Sequence, residues 1–274
     1  MTLVVSTYRA PESLEAVFRA LADQSDASYE VVVADDGSGP ATREIVDRWR
    51  GELRQRVEHV WQPDEGFRAA RARNLGALRA AGDFLVFLDG DCVPRRHFVR
   101  SVRASALAGW FVVGRRFELP RQFTDRVHRE RLPIHRWSLL RWRPLADGEF
   151  ANLGYLTPRD RRRIGRLSVP EFVPHNYAYC SVGVWASDFA AVNGYDMRYE
   201  GWGEEDVDLA LRLRMHGLRG GHAGPQATVF HLWHDSRANP RHPNHELLFE
   251  AARERRVEAL RGLRELAVEA AARA

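Results

Sequence analysis

Short, uniformly apolar runs alternate with amphipathic stretches through the first third of the chain. Leu3-Val4-Val5, Val31-Val32-Val33, residues 57–61 and Phe84-Leu85-Val86-Phe87-Leu88 read as strands buried on both faces. Between them the spacing predicts helices over residues 11–22, 41–50 and 67–81. Such alternation predicts an α/β fold, a mostly parallel twisted sheet flanked by helices, which binds ligands at the carboxyl ends of its strands. Polar groups fall at those ends. Ser6-Thr7-Tyr8 follows the first strand, Asp35-Asp36-Gly37-Ser38 the second and Asp89-Gly90-Asp91 the fourth.

Strand periodicity is lost over residues 117–174, which are rich in arginine and carry Trp137 and Trp142. That stretch reads as a variable insertion with short helices. The pattern returns over residues 172–185, 188–192 and 227–233, with an acidic helix beginning near Glu204. From His245 onward, Leu247, Leu248, Ala251, Val257, Leu260, Leu263 and Leu266 recur at helical spacing. They predict a C-terminal amphipathic helix or helix pair packed on the body.

A length of 274 residues suits one large α/β domain, and 45% hydrophobic with 28% charged residues is an ordinary globular composition. All 41 basic residues are arginine, so a basic side chain that meets a phosphate here must use the planar guanidinium fork. Cys92 and Cys180 offer neither metal spacing nor a disulfide framework, which fits a reducing cytoplasm. The opening strand lacks the basic leader of a signal peptide, and the apolar run at 84–88 is too short to span a bilayer. The expected location is cytoplasmic, soluble or peripheral at the inner face of the membrane. A pI near 9.4 and the basic-aromatic residues 131–143 keep a nucleic-acid or membrane-surface binder as an alternative.

The candidate chemistry lies in acidic clusters. Asp89 and Asp91, one residue apart past a buried strand, suit either a hard divalent cation or an Asp-Gly turn. Asp35 and Asp36 suit a nucleobase or ribose, or again a turn. Of Arg68, Arg71 and Arg73 on one predicted helix, one or two would meet a diphosphate and the rest would be solvated. His231 and His234 lie three apart and would not share a face of a strand, so one of them is expected as a ligand. Imidazole beside carboxylates favours manganese over magnesium. Gly201-Trp202-Gly203-Glu204-Glu205-Asp206 sets an aromatic face before three acids. First-turn acids oppose the helix dipole, which would keep a base ionised but weak.

Together these stretches resemble the family 2 glycosyltransferases of the GT-A fold. The resemblance rests on Val5-Ser6-Thr7-Tyr8, Asp35-Asp36-Gly37-Ser38, Gly66-Phe67-Arg68 through Arg73-Asn74, Gly82-Asp83 through Asp89-Gly90-Asp91, Val192-Asn193-Gly194-Tyr195-Asp196 and Gly201 through Asp206. The last block also resembles a galactosyltransferase-type C-terminal domain. The resemblance spans residues 3–235 and covers the insertion weakly. It implies a nucleotide-sugar-binding half at 1–116, an insertion at 117–171, an acceptor and catalytic half at 172–240 and a helical extension at 241–274.

The resemblance also implies roles. Thr7, Tyr8, Asp35 and Asp36 would hold the uridine. Arg68, Arg73, Asp89 and Gly90 would line the donor. Asp89 and Asp91 form the Asp-x-Asp motif, which with His234 (or His231 in its place) would hold Mn2+ or Mg2+. Trp202, Gly203 and Glu205 would bind sugar or acceptor, and Asp206 would be the catalytic base. The implied reaction is inverting transfer of a hexose from a UDP-sugar to a glycan, glycolipid or small-molecule acceptor, with no nucleic acid involved. The family's Tyr-Asn-Arg-Pro reads Tyr8-Arg9-Ala10-Pro11 here, and its Asn and Arg before the Asn-Gly-Tyr-Asp block are Ser181 and Ala186. A sugar-phosphate nucleotidyltransferase would share the sheet and the acids, but no Gly-rich phosphate loop follows the first strand.

Overall fold

The structure is a computed structural model that describes residues 1–142, 180–235 and 244–272. Expectations for residues 143–179 and 236–243 lie outside the described residues. In chain order the elements are β1 (Thr2–Thr7), α1 (Pro11–Ala22), β2 (Glu30–Asp35), α2 (Pro40–Glu52), β3 (Val57–Trp61), α3 (Ala69–Leu78) and β4 (Phe84–Asp89). Then come β5 (Cys92–Pro94), α4 (Phe98–Ala104), β6 (Trp110–Val113), β7 (Arg116–Glu118), α5 (Arg121–Glu130) and α6 (Leu139–Trp142). After these follow β8 (Ser181–Trp185), α7 (Ala186–Ala191), α8 (Glu205–Met215), β9 (Arg219–His222), β10 (Val229–His231), α9 (Asn244–Arg253) and α10 (Leu263–Ala271).

The apolar runs become a seven-stranded sheet in the order β3-β2-β1-β4-β8-β6-β9. β1 pairs in parallel with β2 and β4, and β2 with β3. β1, β2 and β4 are buried as expected, whereas β3 is the sheet edge, half-buried past Val57 and exposed at Trp61, not covered on both faces. β8 runs antiparallel to β4 and β6. Proline at the first position starts both α1 and α2, where the missing N–H is no loss. One core face holds Leu3, Val5, Val31, Val33 and Val86 against α1, α2 and α4. The other holds Val4, Leu85 and Phe87 against α3, α7 and α8.

The stretch beginning at residue 117 enters this core. A second sheet, β5-β10-β7, was not expected; its strands are three residues each, too short for a periodic signal. Trp137 and Trp142 are buried with Phe117, Phe123 and Phe230, and the Trp142 ring stacks on Phe230 at 4.7 Å. Neither tryptophan is available to a lipid or nucleic-acid surface. The C-terminal apolar pattern is a helix pair, α9 and α10, and α10 packs on α3. Among the described residues, no helix is long and apolar enough to cross a membrane.

Candidate functional site

The chain leaves β1 for β2 and β3, then crosses back to β4 beside β1, so a crevice opens where the strand order reverses. Ser6 and Asp89 are register partners across that point. The Gly90 N–H donates to the Ser6 carbonyl at 2.7 Å, and a Cβ on Gly90 would lie 2.7 Å from the same oxygen. Only glycine lets the loop between the two acids lie so close to β1. Asp89 Oδ1 accepts from Arg73 Nη2 at 2.8 Å and from the Ser6 hydroxyl at 3.1 Å. Asp91 points elsewhere, with His234 Nε2 at 3.4 Å and His231 Nε2 at 3.8 Å. Both imidazoles reach it, against the expectation of one. β10 stops at His231, so strand alternation no longer governs His234.

This donor set fits a divalent cation. A carboxylate beside an imidazole, Asp91 with His231, suits manganese or a later transition metal, and His234 approaches the other Asp91 oxygen. Burial holds His231 below its ordinary pKa, and thus in the neutral, ligating form, against the pull of Asp91. Asp91, Cys92 and His231 bring donor atoms within 4.8 Å of one another, as do Asp89, Cys92 and Cys180. Burial raises the Cys92 thiol well above its usual pKa, so it adds no charge to a hard-cation site.

The nucleotide-side residues divide. The Thr7 hydroxyl is buried and lacks a hydrogen-bond partner among the described residues. Tyr8 donates to Asp64 at 3.2 Å, and the Arg9 guanidinium lies 5.1 Å from its ring. Asp35 is closed off; it accepts from the Ser38 N–H at 2.8 Å and pairs with His59 Nε2 at 3.0 Å. Asp36, also buried, accepts from Gln62 Nε2 at 2.5 Å and from the Arg68 N–H at 2.7 Å. The two acids therefore tie down their own loop. The Arg68 side chain bonds the Pro63 carbonyl and Glu65, while Arg71 bonds Gln62 and Glu269. None of the three arginines is the solvated side chain expected of a helix surface.

Arg73 instead joins the end of β4 to α8. Its Nη1 lies 2.9 Å from Glu205 Oε1 and 3.6 Å from Asp206 Oδ1, while Nη2 holds Asp89. Glu205 and Asp206 form the first turn of α8, approached through a sharp bend. Gly201 (φ 79°), Gly203 (φ 101°) and Glu204 (φ 72°) all take left-handed backbone, which glycine adopts freely and turns Trp202 out to 43% exposure. Burial pushes Asp206 up to about 7; Glu205 and Asp89 add to the rise, while Arg73 and the Tyr195 hydroxyl oppose it. The helix dipole was expected to keep this acid ionised and weak. Desolvation wins, and the result is a carboxyl poised for proton transfer near neutral pH.

Several contributors escaped the sequence reading. The Tyr195 hydroxyl donates to Asp206 Oδ1 at 2.9 Å. Asp208, another first-turn acid of α8, is buried and pairs with the fully buried Arg212 at 2.7 Å. Their i,i+4 spacing was visible, but its burial was not.

Comparison with known proteins matches this geometry to a family. The glycosyl transferase family 2 pattern covers residues 2–167, and the N-terminal domain of galactosyltransferase pattern covers residues 170–235. Validoxylamine A glucosyltransferase of Streptomyces hygroscopicus subsp. jinggangensis (strain 5008) is 31% identical over 231 residues, 80% of this chain and 52% of that protein. Hyaluronan synthase of Pasteurella multocida is 27% identical over 234 residues, 79% of this chain and 23% of that protein. The chain thus spans about half or less of the length of these curated relatives. Among solved structures, S. aureus TarS residues 1–349 with UDP-GlcNAc superposes with a TM-score of 0.59 at 15% identity, covering 97% of this chain and 68% of that one. A Pyrobaculum calidifontis mannosyltransferase in complex with GDP-Man and Mn2+ gives 0.56 at 18% identity, covering 85% and 57%. With the sheet order, the acids at its switch point and the family pattern in agreement, the chain has the GT-A fold and belongs to glycosyl transferase family 2.

Proposed function

We propose that the protein transfers a hexose from a UDP-sugar to an acceptor hydroxyl with inversion, in the biosynthesis of a polysaccharide, glycolipid or other glycoconjugate. The observation that carries this reading is the pairing of two sites across one crevice. Asp91 stands between two imidazoles, and on the far side of Asp89 and Arg73 stands a carboxyl tuned close to neutrality. A divalent cation held by Asp91, His234 and His231 would neutralise the charge that develops on the departing diphosphate. Thr7, with its unpartnered hydroxyl, and Tyr8 would receive the nucleoside at the end of β1.

Trp202 offers its exposed face to the sugar or acceptor. Asp206 accepts the proton of the attacking hydroxyl; Arg73 and Tyr195 both lie on Oδ1, so Oδ2 is the atom that takes it. With one base and no second acid assigned as a nucleophile among the described residues, attack would invert the anomeric centre, as in inverting glycosidases. The test is a screen of UDP-sugars for manganese-dependent hydrolysis, with Asp206→Asn as control. Turnover of at least one donor by the native chain and none by the variant is expected; equal turnover by both would remove Asp206 from the role.

A further inference from the structure

The phenol that touches the base is held on a turn clamped from three sides. Tyr195 is fully buried; its ring meets Phe87 edge-on at 5.0 Å and Phe189 at 5.9 Å, with the Arg73 guanidinium 5.3 Å from the centroid. Boxed in this way, the hydroxyl points at Asp206 Oδ1. Burial also raises the phenol far above its ordinary pKa, so it remains a donor.

The turn before it uses left-handed backbone at Asn193 (φ 60°) and Gly194 (φ 67°). From α3, Asn74 grips both sides of the Tyr195 peptide, donating to its carbonyl at 2.8 Å and accepting from its N–H at 2.9 Å. From α8, Arg212 Nη1 donates to the Val192 and Gly194 carbonyls at 2.7 and 2.8 Å. From outside, the C-terminal segment closes over the turn. The N–H groups of Ala259 and Leu263 donate to the Val192 and Asn193 carbonyls at 3.0 and 2.9 Å. The Asn193 side chain donates to the Ala259 carbonyl at 3.0 Å and accepts from the Arg264 N–H at 2.9 Å. This segment lies beyond residue 235, where the second of the two family patterns ends.

We propose that Tyr195 is a positioning residue that fixes the rotamer of the Asp206 carboxylate, and that the C-terminal segment around residues 259–264 braces the turn that carries it. The extension is then part of the catalytic apparatus rather than an appendage. A hydrogen bond to Oδ1 sets which oxygen faces the acceptor, and misaiming a base by a fraction of an ångström is costly in rate while leaving donor contacts untouched.

The inference rests on Asp206 being the base, and the experiment separates the two. The full chain is assayed with Mn2+ and the UDP-sugar that it hydrolyses fastest, alongside UDP binding by calorimetry and thermal melting. Tyr195→Phe keeps the ring and removes only the hydroxyl. It should lower kcat by about 10- to 100-fold while KM, UDP affinity and Tm stay near native values. Asn193→Gly keeps the left-handed backbone and removes the side-chain bonds to the brace; the same kcat-selective loss, smaller in size, is expected. If Asp206→Asn is inactive but Tyr195→Phe retains full kcat, the positioning role is wrong. If Asn193→Gly lowers Tm with kcat intact, the brace is merely structural. Activity in Asp206→Asn would overturn the reading of the base itself.

Discussion

At Asp206 two tendencies oppose each other: a helix N-terminus favours the charge, and removal from water disfavours it. With the side chain only 19% exposed and Glu205 and Asp89 near, the second prevails and the carboxyl titrates at about 7 instead of 3.8. Two consequences have definite signs. If Asp206 is the base, its neutral form cannot accept a proton, so transfer should fall as pH drops through about 7, read as a slope of log rate against pH in the native chain. Between 3.8 and about 7 the unfolded chain has lost a proton that the folded chain keeps, so this group's contribution to stability declines as pH rises through that window. Asp206→Asn should therefore be more stable than the native chain at pH above about 7 in urea titrations, even where it loses transfer. Arg73 is the counterweight. Arg73→Gln leaves Asp89, Glu205 and Asp206 without their cation and should cost about 3–5 kcal/mol of stability. Trp202, Glu205 and Asp206 were legible in the sequence because glycines and first-turn acids leave a local signature. Tyr195 and the closing of Asp35 were not. Those depend on which residues meet across elements distant in sequence, such as Asn74 with Tyr195 and Asp35 with His59.

Elements divide along the same line. Helix α1 and strands β1 to β4 could be read from the sequence because each carries a full period of its pattern, with proline marking two helix starts. Strands β5, β7 and β10 carry three residues each, and their pairing is set by the chain folding back, so the sequence suggested an appended insertion at residues 117–171. Packing reverses the meaning of its two tryptophans as well. Trp142 stacks on Phe230 of β10, next to His231, so it packs against the strand that carries one imidazole of the candidate cation site. Trp142→Ala should cost about 3–5 kcal/mol and weaken manganese-dependent UDP binding, with no change in liposome co-sedimentation. Loss of lipid binding in that variant would restore the interfacial reading of the basic-aromatic stretch.

Across the whole molecule, the candidate site exists only because three distant parts of the chain converge. β4 and the turn after it supply Asp89 and Asp91, α8 supplies Glu205 and Asp206, and the end of β10 with the residues just past it brings the two histidines. Arg73 binds the first two parts together, and the Asp91 carboxylate faces the third. The two functions should therefore be separable by substitution even though they share one crevice. Asp91 takes no hydrogen bond from Arg73, whereas Asp89 does, so removing Asp91 leaves the acid network of the base intact. Asp91→Ala should abolish the manganese dependence of UDP binding without lowering Tm, and His234→Ala should weaken it by about tenfold. His231 is more buried than His234, so His231→Ala should weaken metal-dependent binding and stability together. Calorimetry of UDP with and without Mn2+, set beside melting curves for the three variants, checks this order. Unchanged metal dependence in Asp91→Ala would place the cation elsewhere, and a large fall in its Tm would mean that the two halves of the site are mechanically one.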